Sequence, residues 1–146
     1  MAYKNILVPV DGSETSFSAV KKAADLAKAF NAKITVVQVL ALDPYIAAEY
    51  ITQSQTNELI ERARTSVQNN LQQAKDKFGE EGIEVDTKLL EGQVIHREIV
   101  QAASELNSDL IVIGSHGRTG LKKLFLGSVA QNVLGEVHTP VLIVRQ

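Results

Sequence analysis

Short apolar runs rich in Val, Ile and Leu alternate along the chain with longer segments in which apolar residues recur every three or four positions. The short runs are typical of β-strands, and the longer periodicity is typical of amphipathic helices. Four of the runs are almost continuously apolar, as expected of strands that are covered on both faces in a parallel sheet. The predicted strands cover residues 5–10, 33–40, 83–90, 109–114 and 140–145.

The third of these runs differs from the others because charged residues interrupt it at every second position. Glu84, Asp86 and Lys88 fall on one side of that strand. We therefore predict that the third strand lies at an edge of the sheet.

A helix is predicted in each interval between strands. The first helix follows Ser13 and ends near Asn31, and the longest helix ends at Gly79. The third covers residues 95–106, and the fourth begins near Ser128. This alternation of strands and helices predicts an α/β fold with an open, five-stranded parallel sheet and helices on both faces.

The length of 146 residues fits a single domain that spans residues 1–146. Residues 43–53 have no clear assignment and fit a loop, a short helix or a mobile flap. In open parallel sheets, ligands bind outside the carboxyl ends of the strands, at the point where the winding reverses direction. Periodicity does not give the order of the strands, so it does not locate that point.

Composition narrows the function classes. The formal net charge is −2 and the chain has no cysteine, so neither nucleic-acid binding nor a disulfide or thiolate metal site is expected. The apolar run near the start is too short for a signal peptide or a membrane span. We expect a cytoplasmic protein without a membrane partner.

The segment after the fourth strand carries the strongest functional signal. Glycines let a backbone approach a ligand closely. Ser128 lies where a helix is predicted to begin, and the first amides of a helix and the positive end of its dipole favour an anion. The alternative is that the glycines only make turns and that Ser128 only caps a helix. The segment contains four glycines, Gly114, Gly117, Gly120 and Gly127, and three cations, Arg118, Lys122 and Lys123.

Two familiar phosphate motifs are absent from the sequence. It has no Gly-Lys-Ser/Thr of a P-loop, and it has no G-x-G-x-x-G after the first strand. The observed pattern, Gly114-x2-Gly117-x9-Gly127-Ser128, resembles the G-x2-G-x9-G-[S/T] motif of the universal stress protein family. The resemblance extends to "ILVPVDGSETS" near the start and "TPVLIVR" near the end.

This resemblance implies a Rossmann-like, adenine nucleotide alpha hydrolase-like fold with strand order 3-2-1-4-5. It also implies ATP binding, with Mg²⁺ or another divalent cation bridging the phosphates, and a homodimer formed through the last strand, from Val141 to Arg145. The same resemblance places adenine beside four apolar residues and gives Asp11 the role of accepting a hydrogen bond from adenine or ribose. The apolar residues are Pro9, Val10, Val39 and Ile113.

The ribose and phosphates would then lie along the segment after the fourth strand. Asp11 has a second reading as a turn residue before the first helix. His116 has one too, as a solvent-facing residue. The residues assigned to this part of the site are Gly114, Ser115, His116, Gly117, Arg118, Gly127, Ser128 and Val129.

No catalytic or metal-ligating residue is assigned. No acidic residue lies between Gly114 and Gln131, and the histidines are scattered, with His96 expected on an exposed helix face and His138 in a turn. The leading hypothesis is a nucleotide-dependent signalling module with little or no catalysis. The alternatives are a slow ATPase or a phosphoryl or adenylyl transferase, and a dimeric scaffold whose nucleotide site is vestigial.

Overall fold

The structure is a computed structural model that describes residues 3–41, 53–115 and 126–145. Strands and helices alternate through these residues, as the hydrophobic pattern predicts. The strands are β1 (Asn5–Pro9), β2 (Lys33–Ala41), β3 (Asp86–Gly92), β4 (Leu110–Gly114) and β5 (Val141–Val144). The helices are α1 (Glu14–Phe30), α2 (Gln53–Glu80), α3 (Ile95–Glu105) and α4 (Ser128–Glu136).

The five strands form one parallel sheet in the order β3-β2-β1-β4-β5. This confirms the order implied by the resemblance, and it confirms that the charged third strand lies at an edge. β1 lies between β2 and β4, with Ile6 opposite Ile34 on one side and opposite Leu110 on the other. The winding reverses between β1 and β4, so their carboxyl ends border the crevice where ligands bind in such sheets.

Side chains that alternate along the strands fill two separate cores. Ile6 and Val8 pack under α1 and α2 on one face of the sheet. Leu7 and Ile111 pack under α3 and α4 on the other face. Successive strand residues point to opposite faces, so a continuously apolar strand supplies both cores.

The first helix has the ends that the sequence predicts. The Ser13 hydroxyl accepts a hydrogen bond from the Ser16 amide at 3.1 Å, and Asn31 ends the helix with a left-handed φ of 54°. The predicted end of the longest helix at Gly79 is wrong, because α2 continues through that residue to Glu80. The left-handed glycine that follows α2 is Gly82, with a φ of 77°.

Asp109 fixes β4 against the start of β1. One of its carboxylate oxygens accepts from the Lys4 amide at 2.9 Å, and the other accepts from the Asn5 amide at 3.0 Å. The Asp109 amide in turn donates to the Asn5 carbonyl at 2.9 Å. This contact aligns the two strands whose opposite ends border the crevice.

Candidate functional site

The apolar part of the predicted site lies at the carboxyl ends of β1, β2 and β4. Val39 and Ile113 pack in the core beneath α3 and α4, and Pro9 is buried on β1. Val10 is also buried, but its side chain packs in the opposite core, beneath α1 and α2. The Val10 side chain therefore does not lie on the same side of the sheet as Val39 and Ile113, and the Val10 amide donates to the Val37 carbonyl at 2.9 Å.

Asp11 begins the turn between β1 and α1. Its Oδ1 accepts from the Ser13 amide at 2.9 Å, and Gly12 between them has a φ of 83°. The turn reading of Asp11 is therefore confirmed for one carboxylate oxygen. The side chain is only partly buried, so the turn and a ligand contact through the second oxygen are compatible.

Gly114 ends β4 in close contact with the first turn of α1. A Cβ atom at this position would lie 3.0 Å from both the Cγ2 atom and the carbonyl oxygen of Thr15. Thr15 itself is buried. The close packing of α1 against β4 therefore favours glycine at position 114, whether or not a ligand binds nearby. No spacing in the sequence pointed to Thr15, because this contact depends on how closely the helix approaches the strand.

A main-chain hydrogen bond joins the residue after β4 to the residue before α4. The Gly127 amide donates to the Ser115 carbonyl at 2.6 Å, and the Ser115 amide donates to the Val144 carbonyl of β5 at 2.8 Å. These two amides are therefore engaged within the protein. The predicted site residues His116, Gly117 and Arg118, together with Gly120, Lys122 and Lys123, lie outside the described residues.

The start of α4 differs from the start of α1. Gly127 is the N-cap of α4 and, being glycine, provides no side-chain cap hydrogen bond there. The first amides of any helix have no partner within the helix, and they carry the positive end of its dipole. Ser128 is exposed and Val129 half-buried at this start. The amides of these two residues are suited to bind an anion.

His96 is only half-buried rather than fully exposed, which corrects the expectation for this residue. Its Nε2 atom lies 3.2 Å from Oε1 of Glu136 in the last turn of α4, so the contact joins α3 to α4. Glu136 covers part of the imidazole. His138 is exposed, as expected of a turn residue.

Two further properties bear on the site. Within residues 3–41, 53–115 and 126–145, no three His, Cys, Asp or Glu side chains are grouped so that they could hold a metal ion. No helix in this described part of the chain is both long enough and apolar enough to cross a membrane.

The protein is a Rossmann-like α/β protein with a five-stranded parallel sheet whose winding reverses between β1 and β4. Its candidate site lies at the carboxyl ends of these strands, beside the start of α4. A model of the universal stress protein family matches residues 2–145, so the chain belongs to this family. Universal stress protein MJ0531 of Methanocaldococcus jannaschii is 38% identical over 145 residues, which cover 99% of this chain and 83% of that protein.

Solved structures agree with this assignment. The structure of MJ0577, also from Methanocaldococcus jannaschii, matches with a TM-score of 0.84 and 31% identity, covering 100% of this chain and 98% of that one. A universal stress protein solved in complex with cAMP matches with a TM-score of 0.70 and 28% identity, covering 99% of this chain and 98% of that one.

Proposed function

We propose that this universal stress protein binds ATP at the carboxyl ends of β1 and β4 and acts as a nucleotide-dependent signalling module with little or no intrinsic catalysis. The observation that carries the proposal is the start of α4, where the amides of Ser128 and Val129 follow a glycine N-cap without a side-chain cap. The related protein in complex with cAMP supports an adenine nucleotide as the ligand.

The site divides by chemistry in the way that a nucleotide requires. The ends of β1, β2 and β4 supply apolar surface for a flat base through Pro9, Val39 and Ile113. Asp11 supplies a carboxylate oxygen for the base or the ribose. The start of α4 supplies main-chain donors and a positive dipole end for the phosphates. Mg²⁺ or another divalent cation would bridge phosphate oxygens while taking few ligands from the protein.

We expect slow or absent ATP hydrolysis because the proposed site lacks an evident general base. Hydrolysis needs a group that orients the attacking water near the transferred phosphoryl group. The sequence has no acidic residue between Gly114 and Gln131. Asp11 belongs to the base and ribose end of the proposed site, and its Oδ1 is already bonded to the Ser13 amide.

The test is a change that preserves the helix start but repels phosphate. Ser128→Asp places a carboxylate in the first turn of α4, where it interacts favourably with the helix dipole. We expect ATP affinity measured by calorimetry to fall at least about tenfold, which corresponds to about 1.4 kcal/mol. Adenosine affinity should stay within about twofold, because adenosine carries no phosphate. Ser66→Asp on the exposed side of α2 is the control for net charge.

The binding proposal fails if the wild-type protein does not bind ATP, or if Ser128→Asp binds it as tightly as Ser66→Asp does.

The catalytic alternative has its own test, which is single-turnover conversion of ATP by the wild-type protein and by Asp11→Asn. Rapid conversion that collapses in the variant would establish an enzyme instead of a binding module.

We also propose a homodimer formed through β5. The carbonyls of Pro140 and Val144 accept hydrogen bonds from the β4 side, so the main chains of Val141 and Ile143 point away from the sheet. The β5 side chains are all apolar, whereas the other edge strand carries Asp86, Lys88 and Glu91. Charged edges resist strand pairing and apolar edges favour it.

Ile143→Asp should shift the protein from dimer to monomer, as measured by light scattering. Thr87→Asp makes a similar change on the exposed β3 edge and should leave the dimer intact. A dimer that persists in Ile143→Asp would exclude this interface.

A further inference from the structure

Gln131 reaches back from the second turn of α4 to the residues just before the helix. Its side-chain Nε2 donates to the Leu126 carbonyl at 2.8 Å, while its own amide donates to the Gly127 carbonyl at 2.9 Å. Sequence patterns did not indicate this role, because an exposed glutamine on a helix is ordinarily only a solvated residue.

The two atoms held here belong to one peptide group. The Leu126 carbonyl accepts from Gln131, and the amide of the same peptide, on Gly127, donates to the Ser115 carbonyl at 2.6 Å. A peptide group is planar, and its C=O and N–H point in opposite directions. Holding both ends therefore fixes the orientation of the whole plane.

The orientation of this plane sets the direction in which α4 begins. Gly127 has a φ of −62° and a ψ of 158° as the N-cap. Glycine has no Cβ atom to restrict these angles, so the conformation depends on the bonds on either side. We propose that Gln131 is a positioning residue of the nucleotide site, which holds the Leu126–Gly127 peptide so that the amides of Ser128 and Val129 face the phosphates.

The inference rests on the proposed nucleotide binding and adds a residue that does not touch the ligand. Its effect is preorganisation: without the Gln131 bond, the Leu126–Gly127 peptide is held only through its amide, and ligand binding has to fix the orientation of its carbonyl. One neutral hydrogen bond at an exposed position corresponds to roughly a three- to tenfold change in affinity.

The test uses the full chain with Gln131→Met, which keeps the side-chain length and removes the donor. Gln101→Met is the matched control, because Gln101 is also an exposed helical glutamine whose Nε2 donates to a neighbour, Glu105, at 2.9 Å. The first measurement is hydrogen exchange of the Gly127 amide by NMR without nucleotide. We expect faster exchange in Gln131→Met and no change in Gln101→Met.

The second measurement is the affinity for ATP and for adenosine. Gln131→Met should weaken ATP binding roughly three- to tenfold and leave adenosine binding unchanged. Gln131→Glu should weaken ATP binding further, since its carboxylate repels both the Leu126 carbonyl and the phosphates.

The outcomes separate the two proposals. If wild-type protein binds no ATP, the proposed function fails and the role of Gln131 fails with it. If the wild type binds ATP but Gln131→Met matches Gln101→Met in exchange and affinity, only the positioning role is overturned. Equal losses of ATP and adenosine affinity would also overturn it, because they indicate a general structural effect.

Discussion

Replacing Gly114 by alanine should destabilise the protein even in the absence of any ligand. The added Cβ atom would lie 3.0 Å from the Thr15 carbonyl oxygen and 3.0 Å from its Cγ2 atom. The methyl contact involves a side chain that a substitution can shorten, whereas the carbonyl belongs to the backbone of the first turn of α1. That turn is fixed by the Ser13 cap, so the helix itself must shift.

The size of the loss follows from two opposing effects. Overpacking a close-packed site costs about 1–3 kcal/mol. Alanine restricts the unfolded chain more than glycine does, which returns about 0.4–1 kcal/mol. We expect a net loss of about 1–2 kcal/mol in the free energy of unfolding. For a chain of this size, the melting temperature should fall by roughly 2–8 °C.

Urea denaturation followed by circular dichroism, without nucleotide, measures this loss. Gly135→Ala is the matched control, because a Cβ atom there meets nothing within 4 Å and the residue lies in α4. That control should stabilise the protein by up to about 1 kcal/mol. Adding Thr15→Ser to Gly114→Ala removes only the methyl contact and should restore only part of the loss. Complete rescue, or no loss in Gly114→Ala, would refute the backbone contact as the reason for glycine.

Two further predictions concern contacts remote from the site. Asp109→Ala removes both hydrogen bonds to the start of β1 and should lower the free energy of unfolding by about 1–3 kcal/mol. Asp109→Asn should lower it less. Equal stability of the wild type and both variants in urea denaturation would contradict the role of Asp109. The hydrogen bond and the charge of Lys28, whose Nζ lies 2.7 Å from Glu81, lower the pKa of Glu81. Lys28→Met should raise the pKa of Glu81 in an NMR titration. The Lys28–Glu81 pair stabilises the protein at pH values above the ordinary glutamate pKa, and this stabilisation is lost as the pH falls through the lowered pKa of Glu81. An unchanged pKa of Glu81 in Lys28→Met would contradict this prediction.

The hydrophobic pattern was sufficient to predict which strands and helices exist, because a strand that is buried on both faces has an almost continuously apolar sequence. It did not give the neighbours of each strand, since a buried strand has the same composition in any central position. The edge position of β3 was predictable because Asp86 and Lys88 lie in solvent. The end of α2 was not, because Gly79 and Gly82 are alike in sequence and differ only in φ.

The apolar part of the candidate site was predictable at the level of which strands end there. Alternation along β1 also implies that Val10 and Pro9 face opposite sides of the sheet, and the structure places the Val10 side chain under α1 and α2. The bonds of Ser115, Gly127 and Gln131 were not predictable. They depend on where the start of α4 lies relative to the end of β4, and no local pattern encodes that position.

Gly114 and Gly127, the first and last glycines of the motif, make contacts within the protein that the sequence pattern did not indicate. Gly114 allows the close approach of α1, and the Gly127 amide is bonded to the Ser115 carbonyl. These contacts give Gly114 and the Gly127 amide structural roles at the edge of the proposed site, and the Gly127 amide is not available as a donor while it bonds Ser115. Within the described part of the proposed site, the amides that follow Gly127 at the start of α4 are suited to bind a phosphate. Ligand affinity should accordingly respond more strongly to changes that reorient or charge the start of α4 than to changes that only stiffen the glycine positions.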